Sequence, residues 1–402
     1  MTPVQHSGSR EIDSNRPYSL EKSPLSRILL GIGIAGLVLS LIGYFLEPGR
    51  FYFSYLTAFA YWTTLTLGAL FFTMLHHATG AKWSVVLRRG AEALSMNLPW
   101  LFIFFLPVLA GIHSLYHWSH ADAVAHDPIL QAKASYLNTA FFIVRGIVYF
   151  AVWSALALLL NRHSLAQDQD GEEVHTRRLR QVGAVGIVLF ALTMTFAAFD
   201  WLMSLDPHWY STIFGVFVFV SGFLVAVACL TVFYVFFRKQ GILADTVGIS
   251  HFQDLGRLLF AFTVFWAYIG GSQYFLIWYA NIPEETVFYL HRWAGGWRLV
   301  SLLIIILHFL VPFIALIFFA SKRNTRLLGV VAGLLMVMHY INIYWLVMPT
   351  VAATDAVISW VDLVTLVGMG GILMWLFLER FRRNPVIPLQ DPDLSESIAH
   401  HP

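Results

Sequence analysis

The stretch FDWLMSLDPHWYSTIFG, Phe199 to Gly215, gathers two acids, a histidine, a proline and two tryptophans at the end of an apolar run that starts at Gly183. Asp200, Asp206 and His208 are groups that can take up and release protons. A fourth charge, Arg145, sits inside a different apolar run, TAFFIVRGIVYF. Charges within such runs are costly, about 2.5–3.5 kcal/mol at the centre of a span, and they turn toward a partner or a polar interior. A second set lies further along the chain: Ser272 and Gln273 in YIGGSQYFLIWY, His308, His339, Asn342 and Asp362. Carboxylates, imidazoles and hydroxyls in series are the materials of a proton relay.

The elements that must position these groups follow from composition. The chain has 402 residues, 58% hydrophobic and only 12% charged, where a soluble domain carries about 25% charge. Its charges cluster between apolar runs long enough to span a bilayer. Ten spans are predicted, at about 27–46, 52–75, 98–116, 136–162, 181–204, 210–237, 258–281, 296–320, 327–348 and 356–379. Each approaches the ~20 residues that cross the hydrocarbon, so the fold class is an all-α polytopic membrane protein. The single cysteine, Cys229, excludes an internal disulfide and a self-held iron–sulfur cluster. No C-x-x-C-H haem site, P-loop or Rossmann glycine pattern suits this context, and no basic patch points to nucleic acid. GIGIAG, Gly31–Gly36, reads as a close-packing stripe on the first helix. Residues 1–26 lack a cleavable leader, which makes the first span an uncleaved anchor.

Lys82, Arg88, Arg89, Arg177, Arg178, Arg180, Arg238, Lys239, Lys322, Arg323, Arg380, Arg382 and Arg383 fall on the side of the two tails. The opposite side has little beyond Arg50, Lys133, Arg292 and Arg298. By the positive-inside rule both termini are cytoplasmic, and the tails, 1–26 and 381–402, are expected to be poorly ordered until bound. The outer loops hold Glu47, Asp122, Asp127, Asp206, Glu284, Glu285 and Asp355 together with His117, His120, His126, His208 and His291, either a docking surface or an ordinary solvated face.

Depth can be read in the same way. Arg145 lies about nine residues, or about 13 Å, below the outer end of the fourth span. Asp200 is about one turn from the same face, within reach of a snorkelling guanidinium. An Arg145–Asp200 ion pair is therefore expected. It would be either a static pair that sets helix register or part of a proton- or quinone-associated cluster with Asp206 and His208. In the second half, Ser272, Gln273, His308, His339, Asn342 and Asp362 form a candidate relay from the outer face toward the midplane. Each lone histidine has the alternative of a hydrogen-bonded core residue.

The run D-W-x-M-S-L-D-P-H-W-Y-S-T-I-F-G, on a chain of ten spans, resembles the F-type membrane subunits of bacterial alternative complex III. These are quinol:cytochrome c oxidoreductase subunits related to the polysulfide-reductase (NrfD-like) membrane proteins. The resemblance covers about 27–380. It implies two four-helix bundles, helices two to five (about 52–204) and six to nine (about 210–348), with helices one and ten peripheral. It implies residence in the bacterial inner membrane beside a homologous ten-helix subunit, a periplasmic iron–sulfur subunit, c-type cytochrome subunits and a terminal oxidase. The chain itself would bind no redox cofactor. Quinol or quinone is the implied small molecule, with haem c and iron–sulfur clusters on the partners. Its role would be quinone-site architecture, proton movement or assembly, rather than catalysis alone. The alternatives are a secondary transporter working without redox partners and a purely structural subunit.

Overall fold

The computed structural model describes residues 24–400. Ten helices in it are long and apolar enough to cross a membrane. They are α1 (Pro24–Leu46), α2 (Pro48–Thr79), α3 (Val85–Ala110), α4 (Thr139–Asp170), α5 (Glu173–Leu205), α6 (Phe214–Lys239), α7 (Ile249–Ala280), α8 (Trp297–Ile317), α9 (Thr325–Thr350) and α10 (Trp360–Arg383). No strand occurs among the described residues. The protein is an all-α polytopic membrane protein, and its ten crossings leave the start of α1 and the end of α10 on one face, the terminal face. The opposite face carries the long 111–138 connection and the short helix Pro283–His291.

Helices α2–α5 pack as one bundle and α6–α9 as a second, with α2 and α6 at the seam. In α2 and α6, 83% of the most apolar window is buried, against 22% in α1, which places α1 at the lipid and the other two at the centre. The seam closes on glycine. A Cβ on Gly68 would lie 2.2 Å from the Gly222 carbonyl oxygen, and one on Gly222 would lie 2.8 Å from that of Thr64. With no side chain between them, the two backbones approach directly, as small residues allow in membranes. The GIGIAG stripe works in the same way. Gly33 and Gly36 of α1 face Gly371 and Gly368 of α10 at backbone contact. Ser40 and Thr365 join the same pair of helices by a 2.9 Å hydrogen bond. Helix α10 then rests on α2, where the Trp62 indole donates to the Leu366 carbonyl at 3.0 Å.

The structure corrects three expectations about the terminal face. The third span begins at Val85 rather than at 98. Its first turns are charged yet buried, because Arg89 meets Glu92 at 3.0 Å and Asp168 at 2.5 Å, and Arg88 pairs with Asp391. The helix breaks at Met96 and Asn97, and the freed Met96 carbonyl accepts from Arg380 of α10. Such a break is tolerated in a membrane only where neighbours re-satisfy the backbone. Arg88 and Arg89, which the sequence places among the charges between apolar runs, thus belong to a buried ionic network.

The third correction concerns the C-terminal tail, of which 384–400 is ordered. Val386, Ile387 and Leu394 are buried, His251 bonds the Ser397 carbonyl at 3.0 Å, and Lys82 meets Glu396 at 2.7 Å. Apolar anchors spaced along a polar segment hold it as a strap across the terminal face. The expectation for the N-terminal tail falls mostly on 1–23, outside the described residues.

Candidate functional site

Helix α4 begins at Asn138, whose side chain accepts from the Phe141 backbone and so caps it. Two turns on, Arg145 points into the bundle. Its Nε donates to Asp200 Oδ2 at 2.7 Å and its Nη2 to Oδ1 at 2.9 Å, a bidentate fork. The remaining Nη1 donates to the Tyr136 carbonyl at 2.9 Å. Tyr149 donates to Asp200 Oδ2 at 2.7 Å. The guanidinium lies 3.9 Å from the centre of the Tyr136 ring and 4.2 Å from that of Phe141. Asp200 is 0% exposed. Both carboxylate oxygens are occupied, and the aromatic cluster of Phe59, Phe105, Phe150, Trp153 and Trp201 fills the space beneath. The void beside this cluster measures only about 20 Å³, room for about one water.

Asp206 and His208 do not join that pair. His208 Nε2 donates to Asp127 Oδ2 at 2.5 Å on the surface, and this bond draws the Asp127 carboxyl below its usual range. Asp127 also caps the short helix Pro128–Lys133 through the Ile129 and Leu130 backbone. Lys133 donates to the Pro207 carbonyl at 2.6 Å, clamping the turn; burial lowers its pKa, against the opposing pull of Asp206 and Asp127. The expected cluster of four is therefore a sealed ion pair in the bundle and a separate surface clasp.

The six residues of the candidate relay also divide. Asp362 leaves the set altogether. Its Oδ2 accepts from Arg50 at 2.7 Å and its Oδ1 from Ser54 at 2.5 Å, and it closes a capping box with Ser359 at the start of α10. This is a second Arg–Asp pair, between α2 and α10, with the carboxylate buried and the guanidinium half-buried, and it arises because α2 begins at Pro48 and so carries Arg50 in its first turn. Ser272 turns back on its own helix, donating to the Ile269 carbonyl at 3.1 Å. His339 Nε2 is 2.9 Å from Thr64 Oγ1 across the seam. His308 stacks on Trp266, ring centres 4.3 Å apart. It lies in a π-helical stretch, Ile304–Leu310, where the wider turn accommodates the ring of Pro312 and its missing N–H.

Gln273 and Asn342 instead line a cavity of about 690 Å³ inside the α6–α9 bundle, near the face opposite the termini. Its walls are aromatic, with Phe217, Trp266, Phe288, Trp345 and Phe309 among them. Tyr274, Trp278 and Ile305 line it and are also exposed on the outer surface of the bundle. The cavity thus opens sideways between α7 and α8, where lipid would lie. Neither imidazole of the relay lines it. The sequence reading missed three groups that do. Arg292 donates to the carbonyls of Phe288, Trp345 and Leu346 at 2.9, 3.1 and 2.8 Å and sits 3.5 Å from the Phe288 ring centre. Burial without a contacting carboxylate pushes its pKa down to about 9. Burial raises Tyr289 to about 12, and its hydroxyl accepts from Gln273 at 2.8 Å. Trp266 forms part of the floor. The signal available was the run VFYLHRW, an aromatic stretch ending in a lone cation after a proline.

Among the described residues, no group of three or more His, Cys, Asp or Glu side chains is placed to hold a metal ion. A scan against protein-family models finds no match to this chain, and a search of curated proteins finds no similar sequence.

Proposed function

We propose that this chain is an integral membrane subunit of a quinol-oxidising electron-transfer complex, and that quinol or quinone occupies the cavity between α7 and α8. The observation that carries the reading is that cavity: about 690 Å³, aromatic-walled and open toward lipid, within the size range of small-molecule sites. A membrane-soluble aromatic ring with an apolar tail fits a side entrance better than a hydrated solute does.

The terminal face holds most of the Lys and Arg, so on this reading it is cytoplasmic, in a bacterial inner membrane. The cavity then lies toward the outer side. Electrons leave for iron–sulfur and haem c centres on partner subunits beside a second ten-helix subunit, in keeping with the resemblance of the 200–215 run. Protons released by the diol leave near the same face.

The test is photolabelling of native membranes with an azido-quinone, followed by mild-detergent purification, a visible spectrum and peptide mapping. The expected result is a coloured assembly with label on α7, α8 or the 283–293 segment. A colourless, solitary protein without label overturns the proposal and returns the chain to solute-uptake assays as a transporter.

A further inference from the structure

Most polar groups around the cavity are already occupied. Gln273 accepts from Ser211 at 2.9 Å and donates to Tyr289. Ser301 donates to the Arg292 carbonyl at 2.7 Å and accepts from Trp345 Nε1 at 2.8 Å. Arg292 is spent on three carbonyls. Two buried residues are left over. Asn342, 1% exposed, has no partner for either Oδ1 or Nδ2. Trp266, 7% exposed, has none for Nε1. Both line the cavity, one from α9 and the other from α7.

A buried amide or indole N–H left unbonded bears its desolvation penalty uncompensated, so such groups call for an occupant. The chemistry of the occupant follows from the donors and acceptors. An indole N–H only donates, whereas a carboxamide both donates and accepts. Together they suit a ring oxygen that accepts from the indole and is carbonyl in one redox state and hydroxyl in the other. Asn342 can present Nδ2 to the first and Oδ1 to the second. The aromatic walls suit a flat ring. Behind these two residues the structure is fixed. His308 stacks on the Trp266 ring, and His339, one turn from Asn342, is tied to Thr64 of α2.

We infer that Asn342 and Trp266 hold a ring oxygen of a quinone-class ligand at the inner end of the cavity, with its tail leaving between α7 and α8. The inference rests on the proposed function above and adds the orientation of the ligand and the residues that recognise it.

The test uses the purified full chain, or its complex, with decylubiquinone and in parallel a short-chain menaquinone carrying a carbon-13 label at one carbonyl. Affinity is read by equilibrium dialysis and the carbonyl stretch by infrared difference spectroscopy. Trp266→Phe keeps the ring and removes the N–H; Asn342→Leu keeps the volume and removes both polar atoms. Each is expected to weaken binding about tenfold, the size of one buried hydrogen bond. The carbonyl stretch should move toward the value of the free quinone in Trp266→Phe. If the wild type binds and both variants match it in affinity and spectrum, the assignment of the two residues fails while the cavity reading stands. If the wild type binds neither quinone, the cavity reading itself fails. Should Asn342→Leu not fold, Trp266→Phe decides alone.

Discussion

The two four-helix bundles bury polar side chains to opposite ends. In α2–α5 the conspicuous polar groups are Arg145 and Asp200, and this pair is saturated: Arg145 donates two bonds to Asp200, Tyr149 donates a third, and the neighbouring void is about 20 Å³. In α6–α9 two neutral groups that are unremarkable in a sequence, Asn342 and Trp266, lack partners around a cavity of about 690 Å³. On the proposed function the Arg145–Asp200 pair is a joint between helices, whereas Asn342 and Trp266, beside a cavity of ligand size, belong to the site. Buried ionisable residues are good pointers to function in membranes, but only when something remains for them to bind.

The largest effect expected from this contrast is at the joint. Asp200→Ala leaves Arg145 buried without its carboxylate, which costs about 3–5 kcal/mol, and should abolish accumulation of folded protein or sharply lower its midpoint in a denaturation series. The double variant Arg145→Leu with Asp200→Leu removes both charges and should recover most of that loss, since apolar replacements of a buried pair are often neutral. If the chain serves quinol turnover as proposed, recovery of fold together with normal turnover makes the pair structural. Recovery of fold with lost turnover would break the comparison and move the pair to the functional side.

A middling effect is expected at the seam, where the two bundles meet. Gly222→Leu drives a side chain into the Thr64 backbone of α2, whose carbonyl oxygen is already 2.8 Å from a Cβ at that position. Overpacking of this kind costs about 1–3 kcal/mol. It should also disturb His339, which Thr64 holds. Thermal unfolding and quinone affinity should therefore fall together, whereas a variant elsewhere in α6 facing lipid, Phe236→Leu, should change neither.

A smaller effect of the opposite sign is expected at the hollow site. Asn342→Leu removes two unsatisfied atoms and should stabilise the ligand-free protein by about 1 kcal/mol, read as a higher unfolding midpoint, while weakening ligand binding. A loss of stability instead would mean that solvent already satisfies the amide.

The difference between the bundles also explains what could be read from sequence. The Arg145–Asp200 pair was legible because it depends on depth alone, and depth follows from counting residues along a helix. Asp362 was misassigned for the complementary reason. Its neighbour depends on which helix stands beside α10, and that is set by the glycine contacts of α1, α2 and α10. Arg50 was read as a loop residue because the apolar run starts later than the helix does. Arg88 and Arg89 were read as juxtamembrane, since carboxylates from α4 and from the strap, Asp168 and Asp391, are remote in sequence. The strap itself has the composition of a disordered tail, and only the spacing of Val386, Ile387 and Leu394 distinguishes it. The void itself had no signature, because a missing side chain leaves no letter, and only part of its lining, the run VFYLHRW, carried one. Gln273 and Asn342 were singled out as polar residues in apolar runs, but their alignment on one void was visible only in three dimensions.

The smallest effect tests the clasp that the sequence reading had grouped with the buried pair. Asp127 holds His208 at 2.5 Å and caps the Ile129 and Leu130 backbone. These bonds favour the ionised carboxylate and lower its pKa below the ordinary 3.8. A carboxyl whose folded pKa is depressed contributes stability that is present above the unfolded value and lost as pH falls through the folded one. The window is therefore acid, below pH 3.8. Wild type and His208→Ala should be compared by thermal unfolding between about pH 2 and 5, across the carboxylate range. The advantage of the wild type should shrink on acidification through that window, and the effect should be slight because the clasp faces solvent and is screened. An advantage that stays constant across the window would remove the clasp as a contributor. A loss as large as that of Asp200→Ala would mean that the turn at Pro207 positions Asp200, and the division between sealed pair and surface clasp would then have to be abandoned.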